Sequence, residues 1–384
     1  MTRFVARVAL LALLATPAAH GQRPGWQPFT RAFDAYAAGD SVVGASVLVL
    51  RDGRVLAHHE YGFADRALGR RVDERTIFHW GSITKTLTAV AVMQLRDRKR
   101  LSLDDRVTRY IPELRQVHDP FGSMDDVTIR MLLSHSAGFQ NPTWPYKAGK
   151  PWEPFEPTRW EQLVGMMPYQ ELAFAPGTRY SYSNPGFIYL ARILEQLTGD
   201  PYEGYVYKNL WAPLGITHSY FGATPYHLAD QRSNNYDVVG DSAGHRAVVA
   251  NGRDFDPGIT IPNGGWNAPL GDVAQWVGFL SGATGSDTVL APATLQEMWR
   301  PLFATDSEAP GDSVGLSFFV LWRGGVRFIG HTGHQAGFRS FFYLNPKTSA
   351  AVIAVFNTTN DARDAESAQG FKRIIDAALE LIAR

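Results

Sequence analysis

Residues 78–95 read FHWGSITKTLTAVAVMQL, and no charged residue occurs from Thr86 to Leu95. A helix that lacks a polar stripe is buried on most of its sides. Lys85 therefore stands at the start of a buried helix, where an ammonium must be paired or lose its proton because an unpaired charge in a dry interior is costly. Ser82 precedes Lys85 by three residues, which places both side chains on one face of the helix.

This serine and lysine pair has a chemical and a structural interpretation. Serine is a poor nucleophile at its own pKa, and a desolvated lysine can act as its base or keep another base deprotonated. The free NH groups and the positive dipole end of the first helical turn also favour a developing oxyanion. A bare SxxK match is more often an ordinary N-cap followed by a surface lysine, but the uncharged helix argues against that alternative.

Apolar patterning of period two, which indicates strands, occurs at both ends of the chain. Near the start, Ala45 to Leu50 and Val55 to Tyr61 flank Asp52-Gly53, a strong hairpin signal. The later β-rich runs are Gly315 to Trp322, Val326 to Gly330, Phe338 to Leu344 and Ala350 to Phe356, and flanking helices are predicted at Phe29 to Ala38 and Asp364 to Ala383. Hairpin-length connections force antiparallel neighbours, so we expect an α+β fold with one antiparallel sheet built from both chain ends and flanked by the N- and C-terminal helices.

Helical patterning dominates the middle of the chain, with the clearest helices predicted at Thr128 to Ser134, Pro185 to Leu197, Asp272 to Leu280 and Thr294 to Trp299. We therefore predict a discontinuous sheet domain of residues 22–99 and 300–384 around an inserted, mainly helical domain of residues 100–299. Within the insert, prolines alternate with aromatic residues from Pro142 to Pro157. Proline at this density forbids a helix or a central strand, so this stretch is predicted to be a stiff loop that either walls a substrate cleft or packs its own rings.

Residues 1–21 have the pattern of a secretory signal peptide. Arg3 and Arg7 precede an uncharged apolar run from Val8 to Ala15, which small residues follow. The run is too short to cross a bilayer, so we expect cleavage and a mature protein of the periplasm or the medium, with no integral membrane segment. A short membrane anchor is the alternative.

Charge and composition exclude several partners and chemistries. The 37 Lys plus Arg balance the 37 Asp plus Glu, so no basic excess points to nucleic acid. The chain has no Cys, which excludes disulfides, Cys-ligated zinc and a thiol nucleophile. No HExxH, P-loop or GxGxxG motif occurs, so neither a metal nor a nucleotide cofactor is predicted. The expected partner is a small-molecule or peptide substrate.

A second candidate residue, Tyr182, lies in the stretch RYSYSNP at 179–185. Asn184 and Pro185 form a good N-cap and N1 pair, which gives Asn184 a structural explanation. Tyr182 precedes this cap on a loop, from which its phenol can reach a cleft and exchange protons with a serine. Next to an ammonium, the pKa of Tyr182 is expected to fall. A core tyrosine with a satisfied hydroxyl is the alternative.

The stretch HTGH at 331–334 follows a β-rich run and is expected to lie in the sheet. Gly333 weakens a strand unless another group must approach its backbone closely. The NH of His334 beside this glycine fits the second donor of an oxyanion hole. His331 and His334 also have an ordinary alternative as exposed strand residues.

The motifs SITK at 82–85, YSN at 182–184 and HTG at 331–333 occur in this order. Together they resemble the penicillin-binding-protein and serine β-lactamase superfamily, in its class C-like branch of DD-carboxypeptidases, D-aminopeptidases, class C β-lactamases and family VIII esterases. Further landmarks of this resemblance are LLSHSAGF at 132–139, PLGI at 213–216, GGW at 264–266 and DVA at 272–274. The resemblance implies a sheet domain with an inserted helical domain and a cleft between them.

The resemblance also implies a role for each candidate residue. Ser82 becomes the acylated nucleophile, and Lys85 and Tyr182 handle protons. The NH groups of Ser82 and His334 form the oxyanion hole. The residues implied to contact substrate are Asn184, His331, Thr332, Gly333 and His334.

One residue departs from the pattern of this superfamily. Class C β-lactamases typically carry Lys where this chain has His331. A histidine near its reference pKa of about 6.5 is mostly neutral at pH 7, so a positive charge for a substrate carboxylate is expected to be lost or to depend on pH. We therefore expect a secreted serine hydrolase that acts through an acyl-enzyme on an ester or a peptide amide. A β-lactamase and a non-catalytic penicillin-binding or sensor protein are the alternatives.

Overall fold

The computed structural model describes residues 24–139, 157–240, 245–283, 286–307 and 309–384. The predicted leader, and the proline and aromatic stretch up to Phe155, lie outside these residues. No helix in the described ranges is both long enough and apolar enough to span a bilayer.

The helices and strands have the following bounds. The α-helices are α1 (Trp26–Gly39), α2 (Thr84–Asp97), α3 (Ile129–Leu133), α4 (Trp160–Met166), α5 (Pro185–Thr198), α6 (Tyr202–Val206), α7 (Ile261–Gly264), α8 (Leu270–Leu280), α9 (Ser286–Val289), α10 (Pro292–Met298) and α11 (Asp364–Ile382). The strands are β1 (Gly44–Arg51), β2 (Arg54–Asp65), β3 (Arg70–Arg71), β4 (Ile77–His79), β5 (Tyr220–Phe221), β6 (Asn235–Gly240), β7 (Arg246–Gly252), β8 (Trp266–Pro269), β9 (Phe303–Ala304), β10 (Ser313–Val314), β11 (Phe319–Arg323), β12 (Val326–Gln335), β13 (Phe338–Asn345), β14 (Ala350–Phe356) and β15 (Thr358–Thr359). Short 3-10 and π turns link several of them, and the one that concerns the site is Gly81–Ile83, which runs directly into α2.

Within the described residues, the largest sheet has nine strands in the order β3-β2-β1-β14-β13-β12-β11-β10-β9. Every neighbouring pair in it is antiparallel. Strand β1 pairs with β14 at the centre of the sheet, so the two ends of the chain meet there. The predicted fold class is therefore confirmed. The division into a sheet domain and an inserted domain stays a prediction.

The first hairpin of the sheet follows the sequence signal closely. Asp52 and Gly53 join β1 to β2 and have φ values of 51° and 73°. A two-residue turn with positive φ at both positions matches the right-handed twist of the strands on either side. The apolar pattern of the strands and this turn together set the register of β1 against β2.

Both faces of the central strands are covered by helices. Val47 and Val49 of β1 pack in one apolar cluster with Phe33 of α1 and Leu379 of α11. Leu48 and Leu50 point the other way and join the cluster that contains α2 and α8. Because both faces of β1 are buried, its sequence is a nearly continuous apolar run. Burial of each such side chain contributes about 1.5–3 kcal/mol to folding.

Helix α2 is buried from Thr84 to Leu95, as its uncharged sequence predicts. Its polar side chains are hydrogen-bonded, as burial requires. The Thr88 hydroxyl, for example, donates to the Pro262 carbonyl oxygen at 2.6 Å. The hydroxyl of Thr86 accepts from the indole NH of Trp276 at 3.1 Å.

One part of the sheet architecture differs from the sequence prediction. The middle of the chain is not only helical, because β6 and β7 form an antiparallel hairpin that joins β15 in a second sheet. Nearly every residue of β7 is exposed, so it has no buried face and no period-two apolar pattern to reveal it. Strand β12 continues past Gly330 to Gln335 and pairs with β13 there, so the stretch at 331–334 lies in the sheet, as expected.

Gly333 packs against the backbone that leads to Ser82, as its position in a strand predicts. A Cβ on Gly333 would lie 2.0 Å from the Trp80 carbonyl oxygen and 2.3 Å from Ser340 Oγ. The Ser340 hydroxyl donates to that same carbonyl at 2.9 Å. The close approach therefore comes from the chain itself, and it fixes β12 against the 3-10 turn.

We predict that Gly333→Ala lowers the free energy of unfolding by about 1–3 kcal/mol, the usual cost of overpacking a core. Gly271→Ala in α8 is the matched control, since a Cβ there meets nothing within 4 Å. Urea denaturation of both variants measures the difference. Equal stability of the two variants would contradict the close packing described for Gly333.

Candidate active site

Ser82 and Lys85 lie together at the start of α2, as their spacing predicts. The Lys85 Nζ is 3.0 Å from Ser82 Oγ. The 3-10 turn that carries Ser82 is held by Thr84, whose hydroxyl donates to the Gly81 carbonyl at 2.7 Å and accepts from the Trp266 backbone NH at 3.0 Å. The serine is therefore fixed by backbone geometry rather than by its own side chain.

Lys85 is fully buried, with 0% of its surface exposed. Its Nζ donates to the Asn263 carbonyl at 2.8 Å and lies 4.8 Å from the centre of the Tyr182 ring. None of the ion pairs among the described residues includes Lys85. Burial therefore lowers the pKa of Lys85 well below its ordinary value. A neutral amine in this position can accept the Ser82 hydroxyl proton while it still donates to Asn263.

Tyr182 is brought to this pair from the loop before α5. A hydrogen bond joins its hydroxyl to Ser82. Burial nevertheless raises the pKa of Tyr182 above its ordinary value, so the expected fall is wrong. The reason is that desolvation outweighs the hydrogen bond, and Lys85 is itself driven toward the neutral form. Tyr182 therefore keeps its proton and can serve as a donor or a proton relay, not as a phenolate base.

Asn184 stands at the N-cap position of α5, directly before Pro185. Its backbone is already helical, with φ −73° and ψ −40°, and its side chain makes no capping hydrogen bond. The capping explanation given by the sequence is therefore wrong for this side chain. Its predicted contact with a substrate amide stays a prediction.

The residues 331–334 lie on the part of β12 that extends past β11. Strand β11 pairs with β12 only as far as Gly330, whereas β13 pairs with it up to Gln335. The position that a Cβ would take on Gly81 is 2.9 Å from the His334 backbone nitrogen. The backbone of His334 is therefore next to the turn that carries Ser82, as an oxyanion hole built from these two residues requires. Thr332, which lies between His331 and Gly333 on this strand, is half-buried.

His331 is fully buried, so its interpretation as an exposed strand residue is wrong. Its Nδ1 is 2.5 Å from the Thr332 carbonyl oxygen, and its ring packs 4.9 Å from that of Phe319. Burial, helped by the nearby Lys85, lowers the pKa of His331 to about 3. Of the two expectations for the positive charge, its loss is supported and its pH dependence is not, because the imidazole stays neutral across the physiological range. The Nδ1 carries the proton, since a carbonyl oxygen can only accept.

His135 lies in this site, although in the sequence it stood out only as part of the landmark LLSHSAGF. It is 1% exposed, and its ring stacks on that of Tyr182 with centroids 4.5 Å apart. A histidine within the otherwise small and apolar stretch LLSHSAGF was the signal that could have found it. Among the described residues, no group of three or more His, Asp or Glu side chains could hold a metal ion.

The sheet covered by helices and the cluster of Ser82, Lys85 and Tyr182 define a class of protein that places a buried lysine beside a serine. Residues 29–377 match the family model described as Beta-lactamase, so the chain belongs to the Beta-lactamase family. This membership confirms the predicted fold and the predicted family of serine hydrolases.

Proteins that are similar to this chain have different names. Esterase EstB of Burkholderia gladioli is 33% identical over 246 residues, which are 58% of this chain and 61% of EstB. Protein flp of Staphylococcus aureus is 23% identical over 320 residues, 83% of this chain and 60% of flp. The chain thus spans about 60% of the length of these relatives. The structure of D-amino acid amidase from Ochrobactrum anthropi shares the fold, with a TM-score of 0.76 at 20% identity over 94% of this chain and 98% of the amidase.

We predict that the preference between charged and neutral substrates does not change with pH. Burial lowers the pKa of His331 to about 3, so it is expected to carry no charge between pH 5.5 and 8, while a substrate carboxylate stays ionised there. The measurement is the ratio of kcat/KM for two matched aryl esters, one with a free carboxylate. This ratio is expected to vary by less than about twofold over that range. A steady rise of the ratio toward pH 5.5 would show that His331 becomes protonated and would contradict its burial.

Proposed function

We propose that the protein is an exported serine hydrolase that forms an acyl-enzyme at Ser82, with an ester or a peptide amide as its substrate. The observation that carries the proposal is the Lys85 amine, buried without an acidic partner 3.0 Å from Ser82 Oγ. This position does not stabilise the fold through the charge of Lys85, because no ion pair offsets the desolvation of that charge. A lysine that acts as the base for a serine must be a desolvated, neutral amine.

The acylation step follows from the positions of the three side chains. Ser82 Oγ attacks the substrate carbonyl carbon while its proton passes to the neutral Lys85 amine. The carbonyl oxygen becomes an oxyanion that the backbone NH groups of Ser82 and His334 are placed to bind. As the bond to the leaving group breaks, Tyr182 gives its proton to the leaving oxygen or nitrogen and regains one from the Lys85 ammonium.

Hydrolysis of the acyl-enzyme repeats these steps with water. Water attacks the ester carbon on Ser82, and its proton passes through Tyr182 to Lys85. Collapse of the intermediate releases the acid and returns a proton from Lys85 to Ser82 Oγ. The net reaction adds one water across the substrate bond, and all three side chains return to their starting protonation states.

The neutral His331 supports an ester or amide substrate over a β-lactam. Its imidazole offers no fixed positive charge to a substrate carboxylate. The name of the relative EstB supports ester chemistry, and that of the D-amino acid amidase supports amide chemistry. Export is proposed on the pattern of residues 1–21 alone, and N-terminal sequencing of the protein recovered outside the cytoplasm tests it.

We predict that a fluorophosphonate adds one mass adduct to the wild-type protein and none to Ser82→Ala. Lys85→Ala and Tyr182→Phe are expected to slow this labelling by roughly 10² or more, the usual scale for losing acid–base help. Ser123→Ala, a change on an exposed turn, is the matched control and should label like wild type. Intact-mass analysis over time gives the rates. An adduct that persists in Ser82→Ala would contradict the assignment of the nucleophile.

The same proteins then distinguish the substrates. Turnover of a short-chain aryl ester or of D-phenylalanine amide, with little turnover of a chromogenic cephalosporin, is the expected result. Fast cephalosporin turnover without ester or amide hydrolysis would favour the β-lactamase alternative. Labelling of Ser82 with no turnover of any of the three would favour a penicillin-binding or sensor protein.

A further inference from the structure

His135 holds the loop of Tyr182 from both sides. The backbone NH of Ser181 donates to the His135 carbonyl oxygen at 2.8 Å. The backbone NH of Ser183 donates to His135 Nδ1 at 3.0 Å. The residues immediately before and after Tyr182 are thus bonded to one histidine, whose ring also lies on the Tyr182 ring at an interplanar angle of 26°.

The backbone of His135 argues against a purely structural role. It follows the short helix α3 with φ +55°, in the left-handed region. The Ser136 NH returns to the Met131 carbonyl at 2.9 Å, as expected for a helix that ends on a left-handed residue. Glycine, or less often asparagine, is preferred at such a position because a side chain with a Cβ is strained there. The strain at His135 is tolerated for something that its side chain does.

The protonation state of His135 fits the bond to Ser183. Because the Ser183 NH donates to Nδ1, that nitrogen must be unprotonated and the proton lies on Nε2. Burial, with Lys85 and His331 nearby, keeps the pKa of His135 well below its ordinary value. The ring is therefore neutral wherever the enzyme would work, and the acceptor at Nδ1 is permanent.

We propose that His135 is a positioning residue that sets the place of the Tyr182 phenol at Ser82. This role rests on the proposed function, since the position of the phenol concerns only a reaction at Ser82. In this role, His135 acts through three contacts to residues 181–183. A misplaced phenol slows proton transfer to the leaving group and leaves substrate binding largely intact.

Two substitutions separate the parts of this role. His135→Asn tolerates a left-handed backbone and offers a side-chain oxygen that can accept from the Ser183 NH, but it removes the stacked ring. His135→Phe keeps a ring but removes the acceptor. His227→Asn is the matched control, because His227 is exposed. Urea denaturation of each variant shows whether it folds.

The test is a double-mutant cycle between His135 and Tyr182. The expected result is that His135→Asn and His135→Phe each lower kcat for the aryl ester by about tenfold or more with little change in KM. In the Tyr182→Phe background, the same substitutions are expected to cost less than about threefold, because the hydroxyl that they misplace is gone. His135→Gly extends the test, since it relieves the backbone strain but removes the ring and the acceptor, and it should lose activity.

The outcomes separate the two proposals. Losses that multiply fully in the double variants, or a change confined to KM, would overturn the role of His135 and leave the acyl-enzyme at Ser82 standing. Wild-type activity with no effect of any His135 variant would do the same. A wild-type protein whose Ser82 is never labelled would overturn the proposed function, and the role of His135 with it.

Discussion

The site depends on the burial of the Lys85 amine without a carboxylate to balance its charge. Helix α2, which begins one residue before Lys85, is buried from Thr84 to Leu95, so the amine cannot turn toward water. Its contacts are the Ser82 hydroxyl, a backbone carbonyl and two aromatic rings. None of these contacts brings a negative charge that would offset the desolvation of an ammonium. The same burial keeps Tyr182 protonated and His331 uncharged, so one environment sets three protonation states.

The main sheet and α2 are locked together next to that amine. Strand β12 reaches the 3-10 turn of Ser82 because glycines stand at both sides of the contact, Gly81 on the turn and Gly333 on the strand. The residues of the site lie about a hundred or more positions apart in the chain. Rigid contacts of this kind are needed to hold their geometry. The loop of Tyr182 is joined in the same way, through its backbone hydrogen bonds to His135.

The sequence predicted the parts of the molecule that follow local rules. The hairpin at Asp52-Gly53, the antiparallel sheet and the pairing of Ser82 with Lys85 depend on spacing and turn chemistry. The sequence could not give the direction of the pKa shifts of Tyr182 and His331, because desolvation comes from side chains distant in the chain. The proposed role of His135 could not be predicted either, because its contacts are with the loop of Tyr182, which is distant in the chain. The exposed β6–β7 hairpin escaped because neither face of β7 carries an apolar pattern.

The most direct test of this account is the titration of the Lys85 amine itself. The chain has seven lysines, so a protein labelled with ¹³C at lysine Cε gives a spectrum simple enough to assign, with Lys85→Arg identifying the signal. The Lys85 signal is expected to report a neutral amine at a pH well below 10.4, the ordinary lysine value. A Lys85 signal that remains characteristic of an ammonium up to pH 10 would contradict the neutral state of this amine.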